Sequence, residues 1–181
     1  IVLEDDFTCS PELKNMYHIK NIEKITKNMS KKLFAFGVLP LVTTYKNKYL
    51  RRSWLGTGAH ATLIPKYYFE KLAKIEHKIC DMDFYLNINI GNKYIYYKPL
   101  ITQTFPNTDN NKNWGNSCGG KILGKIFRFI MKIIITSLGV DDKEEPGTSR
   151  MYFINRIIYD YFIPIILIFY IYKFCIQKKL I

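Results

Sequence analysis

The sequence predicts an α/β domain followed by a helical tail that associates with a membrane. Short apolar runs that are typical of strands alternate with segments of helical periodicity through residues 1–118. From Lys121 the chain changes to two long apolar helices, separated by a hydrophilic linker at 141–147. We therefore divide the 181 residues into a domain at 1–118 and a tail at 119–181.

The composition limits the class of partner. The net charge of +12 favours a nucleic acid, an anionic membrane or a phosphorylated small molecule. The basic residues are spread along the sequence without a zinc finger or an aromatic-interleaved basic strand, so we expect no nucleic-acid partner. The cysteines have no C-x-x-C spacing and are predicted to be reduced, structural thiols: Cys9, Cys80, Cys118 and Cys175.

An acidic triplet, Glu4-Asp5-Asp6, follows the apolar run Ile1 to Leu3. We interpret this run as the end of a buried strand, at an edge where open α/β sheets bind ligands. Adjacent carboxylates repel by about 1 kcal/mol even in water, and a divalent cation offsets that repulsion. Oxygen ligands favour Mg²⁺ or Mn²⁺ over Zn²⁺. The alternative is a solvated acidic loop. Because Ile1 opens inside a predicted strand, we expect the chain to be a piece of a longer protein.

The next segment is predicted to be a helix, with Ser10 as its N-cap, Pro11 in its first turn and an end near Ser30. A buried strand is predicted from Leu33 to Val38. The polar run from Thr43 to Arg52 is predicted to be a loop. Its cations face either an anionic substrate or solvent: Lys46, Lys48, Arg51 and Arg52.

The segment from Gly56 to His60 predicts a glycine turn at which the backbone approaches a ligand with φ > 0. A short strand follows, and Pro65 opens a helix. His60 alone is either a structural histidine or a group that contacts substrate. The next motif, Ile79 to Leu86, holds Asp81 and Asp83 among apolar residues, and buried carboxylates need a partner, a cap or a task. We assign Asp81 as a helix N-cap, which leaves Asp83 as the functional candidate.

Two further strands are predicted, from Lys93 to Tyr97 and from Leu100 to Thr104. They lead into a polar stretch from Gln103 to Trp114. Its amides suit the hydroxyl groups of a sugar, and Trp114 suits stacking on a sugar ring. The alternative is a surface connection.

The tail contains two apolar helices. A narrow basic stripe on the helix at 121–138, which we expect at a membrane interface, is formed by Lys121, Lys125, Arg128 and Lys132. The alternative is a core helix. The segment 157–176 holds twelve Ile, Leu or Phe residues, which favour insertion by roughly 4 to 7 kcal/mol. Asp160 and Lys173 lie near its ends, where charges reach the interface by snorkelling.

Four motifs in order, Leu3 to Asp6, Gly56 to Ala61, Met82 to Leu86 and Gln103 to Trp114, resemble family 25 glycosyltransferases. This family includes lipopolysaccharide-type sugar transferases and procollagen galactosyltransferases. The resemblance implies a GT-A fold that uses a metal to hold a UDP-sugar, usually UDP-galactose or UDP-glucose, and inverts the anomeric centre. It also implies that nucleotide-binding βα units precede the acidic motif, so this chain would lack them.

The resemblance implies the following roles. Glu4 and Asp6, with Asp5 nearby, would hold Mn²⁺ or Mg²⁺, and the metal would stabilise the departing diphosphate. Asp83 would accept the proton of the acceptor hydroxyl, with Asp81 as the second candidate base. The donor and acceptor pocket would be shaped by Gly56, Thr57, Gly58 and His60, with Gln103, Asn113 and Trp114 at its rim. The acceptor would be a glycan, a lipid-linked sugar or a protein hydroxyl.

Two features depart from the family pattern. The missing βα units would carry recognition of the base and ribose, and no histidine follows His77 to complete a metal site near the C-terminus. The competing hypothesis is therefore a membrane-attached scaffold, a remnant of a transferase that no longer catalyses.

Overall fold

The computed structural model describes residues 1–3, 7–27, 31–74, 82–103, 120–140 and 147–179. Within these ranges the strands are β1 (Val2–Leu3), β2 (Phe7–Cys9), β3 (Leu33–Asn47), β4 (Leu50–Leu63), β5 (Lys93–Tyr96) and β6 (Ile101–Gln103). The helices are α1 (Met16–Thr26), α2 (Lys66–Leu72), α3 (Met82–Asn89), α4 (Gly120–Leu138), α5 (Thr148–Ile157) and α6 (Ile163–Lys179). A 3₁₀ turn at Pro11–Lys14 precedes α1, and a π-helical segment at Ile158–Phe162 joins α5 to α6.

The main sheet is mixed. Its strand order is β1-β4-β3-β5, with β3 antiparallel to β4 and parallel to β5. Strand β5 also pairs antiparallel with β4 near the tip of the β3–β4 hairpin, and β2 pairs separately with β6. The protein therefore has an α/β fold with a mixed sheet and an apolar C-terminal helix.

Several local predictions are confirmed. The Ser10 hydroxyl accepts a hydrogen bond from the Glu12 amide at 3.3 Å, so it caps the 3₁₀ turn that leads into α1. Helix α2 begins directly after Pro65, as expected from a proline that cannot continue a strand ladder. Strands β5 and β6 lie inside the two predicted ranges. Helix α4 covers the predicted segment 121–138.

The prediction of a loop from Thr43 to Arg52 is wrong, because these residues form the tip of the β3–β4 hairpin. The side chains alternate as in a half-buried strand: Thr43 and Arg51 are buried, whereas Thr44 is exposed. The Asn47 side chain holds the turn by accepting hydrogen bonds from the amides of Tyr49 and Leu50, each at 2.9 Å. The inward residues are polar, so the hydrophobic pattern gave no strand signal.

The glycine turn predicted at Gly56 to Gly58 is also wrong in form, because these residues lie within β4. Leu39 pairs with Thr57 and Gly37 pairs with Ala61, so three residues of β4 lie opposite one residue of β3. Such an insertion is a β-bulge. Gly58 occupies it with φ 76°, which confirms the positive φ expected of this glycine. We call residues 58–60 the β4 bulge.

The opening strand is not buried. Val2 and Leu3 are 42% and 44% exposed, and β1 pairs antiparallel with β4 at the edge of the sheet. The expectation that Ile1 to Leu3 form the end of a buried strand is therefore wrong. A run of three apolar residues is too short to distinguish an edge strand from a buried one.

The first part of the tail packs on the sheet. Tyr152 of α5 lies in a buried cluster with Ala35, Val38 and Ile95. A second cluster joins Met151 of α5 and Met131 of α4 to Leu39 of β3. These contacts fix the starting point and the direction of the helix that follows.

The remainder of the tail leaves the sheet. The continuous helix Thr148–Gln177 is long and apolar enough to cross a membrane, with a mean hydropathy of 1.6 in its most apolar window and none of that window buried. Pro164 lies two residues after the π-helical segment. Because proline has no amide hydrogen and clashes with the carbonyl four residues before it, it accounts for the widened turn at Ile158–Phe162.

Candidate functional site

The acidic triplet Glu4-Asp5-Asp6 lies outside the described residues, but the residues on both sides of it are fixed by strand pairing. Leu3 lies opposite Ala61, next to the β4 bulge, and the antiparallel direction of β1 leads the chain towards that bulge. Phe7 lies opposite Gln103 at the end of β6. Four residue steps span at most about 14 Å. Leu3, beside the bulge, and Phe7, opposite Gln103, therefore lie within this distance of each other.

Helix α3 is attached to the same part of β4 by Asn87. The Gly56 amide donates to Asn87 Oδ1 at 3.2 Å, and Asn87 Nδ2 donates to the Gly56 carbonyl at 2.6 Å. Lys93 also donates to Asn87 Oδ1. The two hydrogen bonds between Asn87 and Gly56 hold α3 beside β4, two residues before the β4 bulge. Sequence reasoning missed Asn87, although an amide inside an otherwise apolar helix is a signal for such a contact.

Asp83 is in the first turn of α3, four residues before Asn87. Positions four apart lie on one side of a helix, so position 83 shares the side that faces β4. The Asp83 side chain is not among the described atoms, and Asp81 lies outside the described residues. The described part of the helix starts at Met82, so the N-cap role of Asp81 stays a prediction.

The other predicted pocket residues that are described lie in both sheets. Gly56 and Thr57 are in β4 immediately before the β4 bulge, and Thr57 is buried. His60 is within the bulge, and its side chain is not described. Gln103 ends β6 in a half-buried position. Asn113 and Trp114 lie outside the described residues.

Gly56 lies where the backbone of β4 packs closely against β3. A Cβ atom at this residue would lie 3.0 Å from Val38 Cγ2 and 3.2 Å from the Leu39 carbonyl oxygen. Because the Asn87 bonds use both the amide and the carbonyl of Gly56, a side chain here would disturb the strand and the attachment of α3 together.

No metal-binding group was found within the part of the chain that the structure describes, where no three His, Cys, Asp or Glu side chains converge. The predicted ligands Glu4, Asp5 and Asp6 are outside that part. Their oxygen chemistry suits Mn²⁺ or Mg²⁺, but no described side chain adds to the set. We therefore derive no chemical step through a metal.

Two of the four basic residues of the hairpin, Arg51 and Arg52, are engaged in the fold. Arg51 is buried and forms a bidentate ion pair with Asp160, with N–O distances of 2.6 and 2.7 Å. Arg52 stacks on Trp54 at 4.0 Å and donates to the Gly91 carbonyl at 3.0 Å. The interpretation of Arg51 as a substrate-facing cation is therefore wrong. The expectation that Asp160 snorkels is wrong as well, because its carboxylate is paired with protein.

A second polar group is a chain of hydrogen bonds from Tyr96 through His18 to Glu12. The Tyr96 hydroxyl lies 2.9 Å from His18 Nδ1, and His18 Nε2 lies 2.9 Å from Glu12 Oε2. Because an ionised carboxylate only accepts, we assign Nε2 as the donor to Glu12 and the hydroxyl as the donor to Nδ1. Tyr96 is fully buried, so no substrate reaches its hydroxyl, and the chain serves to tie α1 to β5.

This chain has two electrostatic consequences. Hydrogen bonds from Lys98 and from His18 hold the pKa of Glu12 below its ordinary value of 4.5. Burial raises the pKa of Tyr96 from 10.0 to about 12, because the phenolate form is poorly solvated in the core.

Comparisons with protein-family models, with curated proteins and with solved structures found no match to this chain. The functional argument therefore depends on its residues and its geometry alone.

Proposed function

We propose that this chain is a membrane-attached glycosyltransferase domain of the GT-A type. It would transfer a hexose, galactose or glucose, from a UDP-sugar to a hydroxyl group of a glycan, a lipid-linked sugar or a protein. The reaction would depend on Mn²⁺ or Mg²⁺ and would invert the anomeric centre. The resemblance to family 25 glycosyltransferases supplies this reaction, and the geometry of the sheet edge supports it.

One observation carries the proposal: β1, which precedes the acidic triplet, and α3, which bears Asp83, are bound to β4 on either side of the β4 bulge. Strand β1 leads from Leu3 towards the β4 bulge, and β2 begins at Phe7 opposite Gln103. Asn87 attaches α3, which bears Asp83, beside Gly56. These contacts support a single site that combines the acidic triplet, the glycine segment and Asp83. Bulges are also frequent next to active sites, where they redirect a side chain.

In this proposal each part has a distinct task. The acids Glu4, Asp5 and Asp6 would hold the cation, which would supply charge stabilisation for a departing diphosphate. Asp83 takes the proton of the acceptor hydroxyl, which inverting displacement requires on the face opposite the leaving group. The bulged backbone and Gln103 border the sugar.

Exposed apolar surface supports membrane attachment. Helix α6 leaves the sheet, and its apolar side chains from Ile165 to Ile176 are between 37% and 66% exposed. Helix α4 has an exposed apolar side as well, formed by Ile122, Ile126, Phe129, Ile130 and Ile133. Exposed surfaces of this size are typical of contacts with lipid or with another protein. We propose that α6 crosses the bilayer and that α4 lies at its surface.

The second candidate function is a non-catalytic, membrane-attached scaffold. It is favoured by the position of the two larger described clefts, which are lined by residues around the hairpin tip, such as Asn47 and Lys48, and not by the β4 bulge. A scaffold of this kind would keep the membrane helices but bind neither metal nor nucleotide.

Metal binding distinguishes the two candidates. We expect the chain, reconstituted in lipid nanodiscs, to bind Mn²⁺ more tightly in the presence of UDP, and Asp6→Asn to remove that effect. The matched control is Glu23→Gln, which neutralises an exposed carboxylate on α1. Absence of UDP-stimulated Mn²⁺ binding by the unsubstituted chain would support the scaffold instead.

A further inference from the structure

A cleft of about 670 Å³ lies where the C-terminal helix leaves the sheet. We call it the hairpin cleft. One wall is the tip of the β3–β4 hairpin, and the other is the last turn of α5 with the π-helical segment. It is lined by Tyr45, Asn47, Lys48, Arg51, Tyr97, Arg156, Tyr159, Asp160, Tyr161 and Pro164. The hairpin tip and the β4 bulge are at opposite ends of β4, so this cleft is separate from the proposed active site.

The charge of the hairpin cleft favours an anion. Three cations and one carboxylate line it, and the carboxylate of Asp160 is already neutralised by Arg51. Lys48 and Arg156 carry the rest of the positive charge and both are exposed, with the Lys48 ammonium 4.8 Å from the centre of the Tyr49 ring. An arginine fork and a lysine ammonium are the side chains that bind phosphate groups most strongly. Tyrosine hydroxyls from Tyr45, Tyr159 and Tyr161 add donors around the same space.

The position of the hairpin cleft favours a lipid as the source of that phosphate. Its lining includes Tyr161 and Pro164, which lie on either side of the start of α6 at Ile163. From there an exposed apolar row continues along one side of the helix, formed by Tyr161, Ile165, Ile168 and Tyr172, each at least 60% exposed. Residues spaced by four, three and four positions are aligned along a helix. A phosphate held in the cleft would therefore have its acyl chains against this row.

Tyrosines concentrate where a helix passes from water into hydrocarbon, and lipid phosphates lie at that depth. We propose that the hairpin cleft binds the phosphate of an anionic phospholipid between Lys48 and Arg156, with the acyl chains along α6. This inference depends on the membrane attachment proposed above, but not on the transferase activity. Bound lipid would fix the sheet at a defined height and rotation on the bilayer.

The experiment compares retained lipid in the full chain after reconstitution into nanodiscs of phosphatidylcholine doped with phosphatidylglycerol. Native mass spectrometry counts the lipids that remain after release from the disc. We expect retained phosphatidylglycerol to be enriched over its share of the bilayer. Replacing both Lys48→Gln and Arg156→Gln should lower that enrichment by about ten-fold, as expected when two charged hydrogen-bond donors to phosphate are lost.

The matched control is Lys20→Gln with Lys66→Gln, which removes the same charge from exposed positions on α1 and α2. Equal loss of enrichment in both double variants would contradict a specific site and indicate general attraction to anionic lipid. Glycerol 3-phosphate, added to the protein in neutral detergent, tests the source of the phosphate. Binding as tight as that of the lipid would overturn the lipid assignment. Failure to insert into nanodiscs refutes attachment and site together, whereas insertion without enrichment refutes the site alone.

Discussion

Arg51 of the hairpin and Asp160 of the C-terminal helix form a two-pronged ion pair, although 109 residues separate them. Their side chains are 4% and 18% exposed. Arg51 Nε also donates to Thr43 Oγ1 at 2.9 Å, and Thr43 in turn donates to the side-chain oxygen of Asn155. The pair therefore belongs to a buried polar network that joins the sheet to the helix just before the helix leaves it.

Breaking this ion pair should destabilise the protein strongly. Arg51→Met leaves the Asp160 carboxylate without its partner in a mostly buried position, so we expect the free energy of unfolding to fall by about 3 to 5 kcal/mol. Combining Arg51→Met with Asp160→Leu removes both charges and should cost less than the single change. Urea unfolding in detergent measures both variants. A double variant no more stable than the single one would show that the pair is not the source of the effect.

The protein should lose stability at alkaline pH because of Tyr96. Its pKa is about 12 in the fold and 10.0 when unfolded, so the unfolded chain ionises first as the pH rises. The contribution of Tyr96 to the free energy of unfolding is complete below pH 10.0 and is lost as the pH approaches 12. Melting temperatures measured across this interval should fall less steeply for Tyr96→Phe. An unchanged slope in that variant would assign the loss to other groups.

The contribution of Glu12 to the stability of the fold should be lost at acidic pH. Its folded pKa is lower than 4.5, so its stabilising effect is complete above 4.5 and is lost as the pH falls through the folded value. Because Glu12 is largely exposed to solvent, we expect only a small effect. Glu12→Gln should flatten the acid side of the melting-temperature profile. The same flattening in Glu23→Gln would show that the effect is not specific to this hydrogen-bonded chain.

Substitution of Asp83 and substitution of Asp6 should have different effects on hexose transfer and on Mn²⁺ binding. Asp83→Asn should abolish hexose transfer by the reconstituted chain while leaving UDP-stimulated Mn²⁺ binding intact, because the base does not hold the metal. Asp6→Asn should remove both. Transfer is measured with radiolabelled UDP-galactose, and metal binding by electron paramagnetic resonance. Loss of Mn²⁺ binding in Asp83→Asn would contradict the division of roles.

The sequence predicted the elements that are marked by neighbouring residues, such as a capping residue or a proline. The 3₁₀ turn that leads into α1 follows its predicted cap Ser10, and α2 follows Pro65. The hairpin tip was not predictable in this way, because Thr43 and Arg51 are inward residues whose partners, Asn155 and Asp160, lie more than 100 residues away. A strand with polar inward-facing residues has the same sequence pattern as a loop. It cannot be recognised as a strand until its distant partners are known.

The candidate site was predictable as a set of motifs but not as an arrangement. The sequence indicated that Gly58 needs a positive φ, and the structure shows that a bulge and not a turn uses it. Strand pairing, which a single sequence does not encode locally, determines that β1 lies against β4 and β2 against β6. Asn87 was overlooked because its two bonds are to the backbone of Gly56, 31 residues earlier.

The most direct test of the account is the position of bound Mn²⁺ relative to two native cysteines. Cys9 and Cys175 are free, exposed thiols, one at the end of β2 and the other near the end of α6. Each is spin-labelled in turn while the other three cysteines are serine, and Mn²⁺ is added with UDP. The account predicts strong paramagnetic broadening of the label on Cys9 and none of the label on Cys175. A Cys9 label that Mn²⁺ and UDP leave unchanged would contradict a metal site at the acidic triplet.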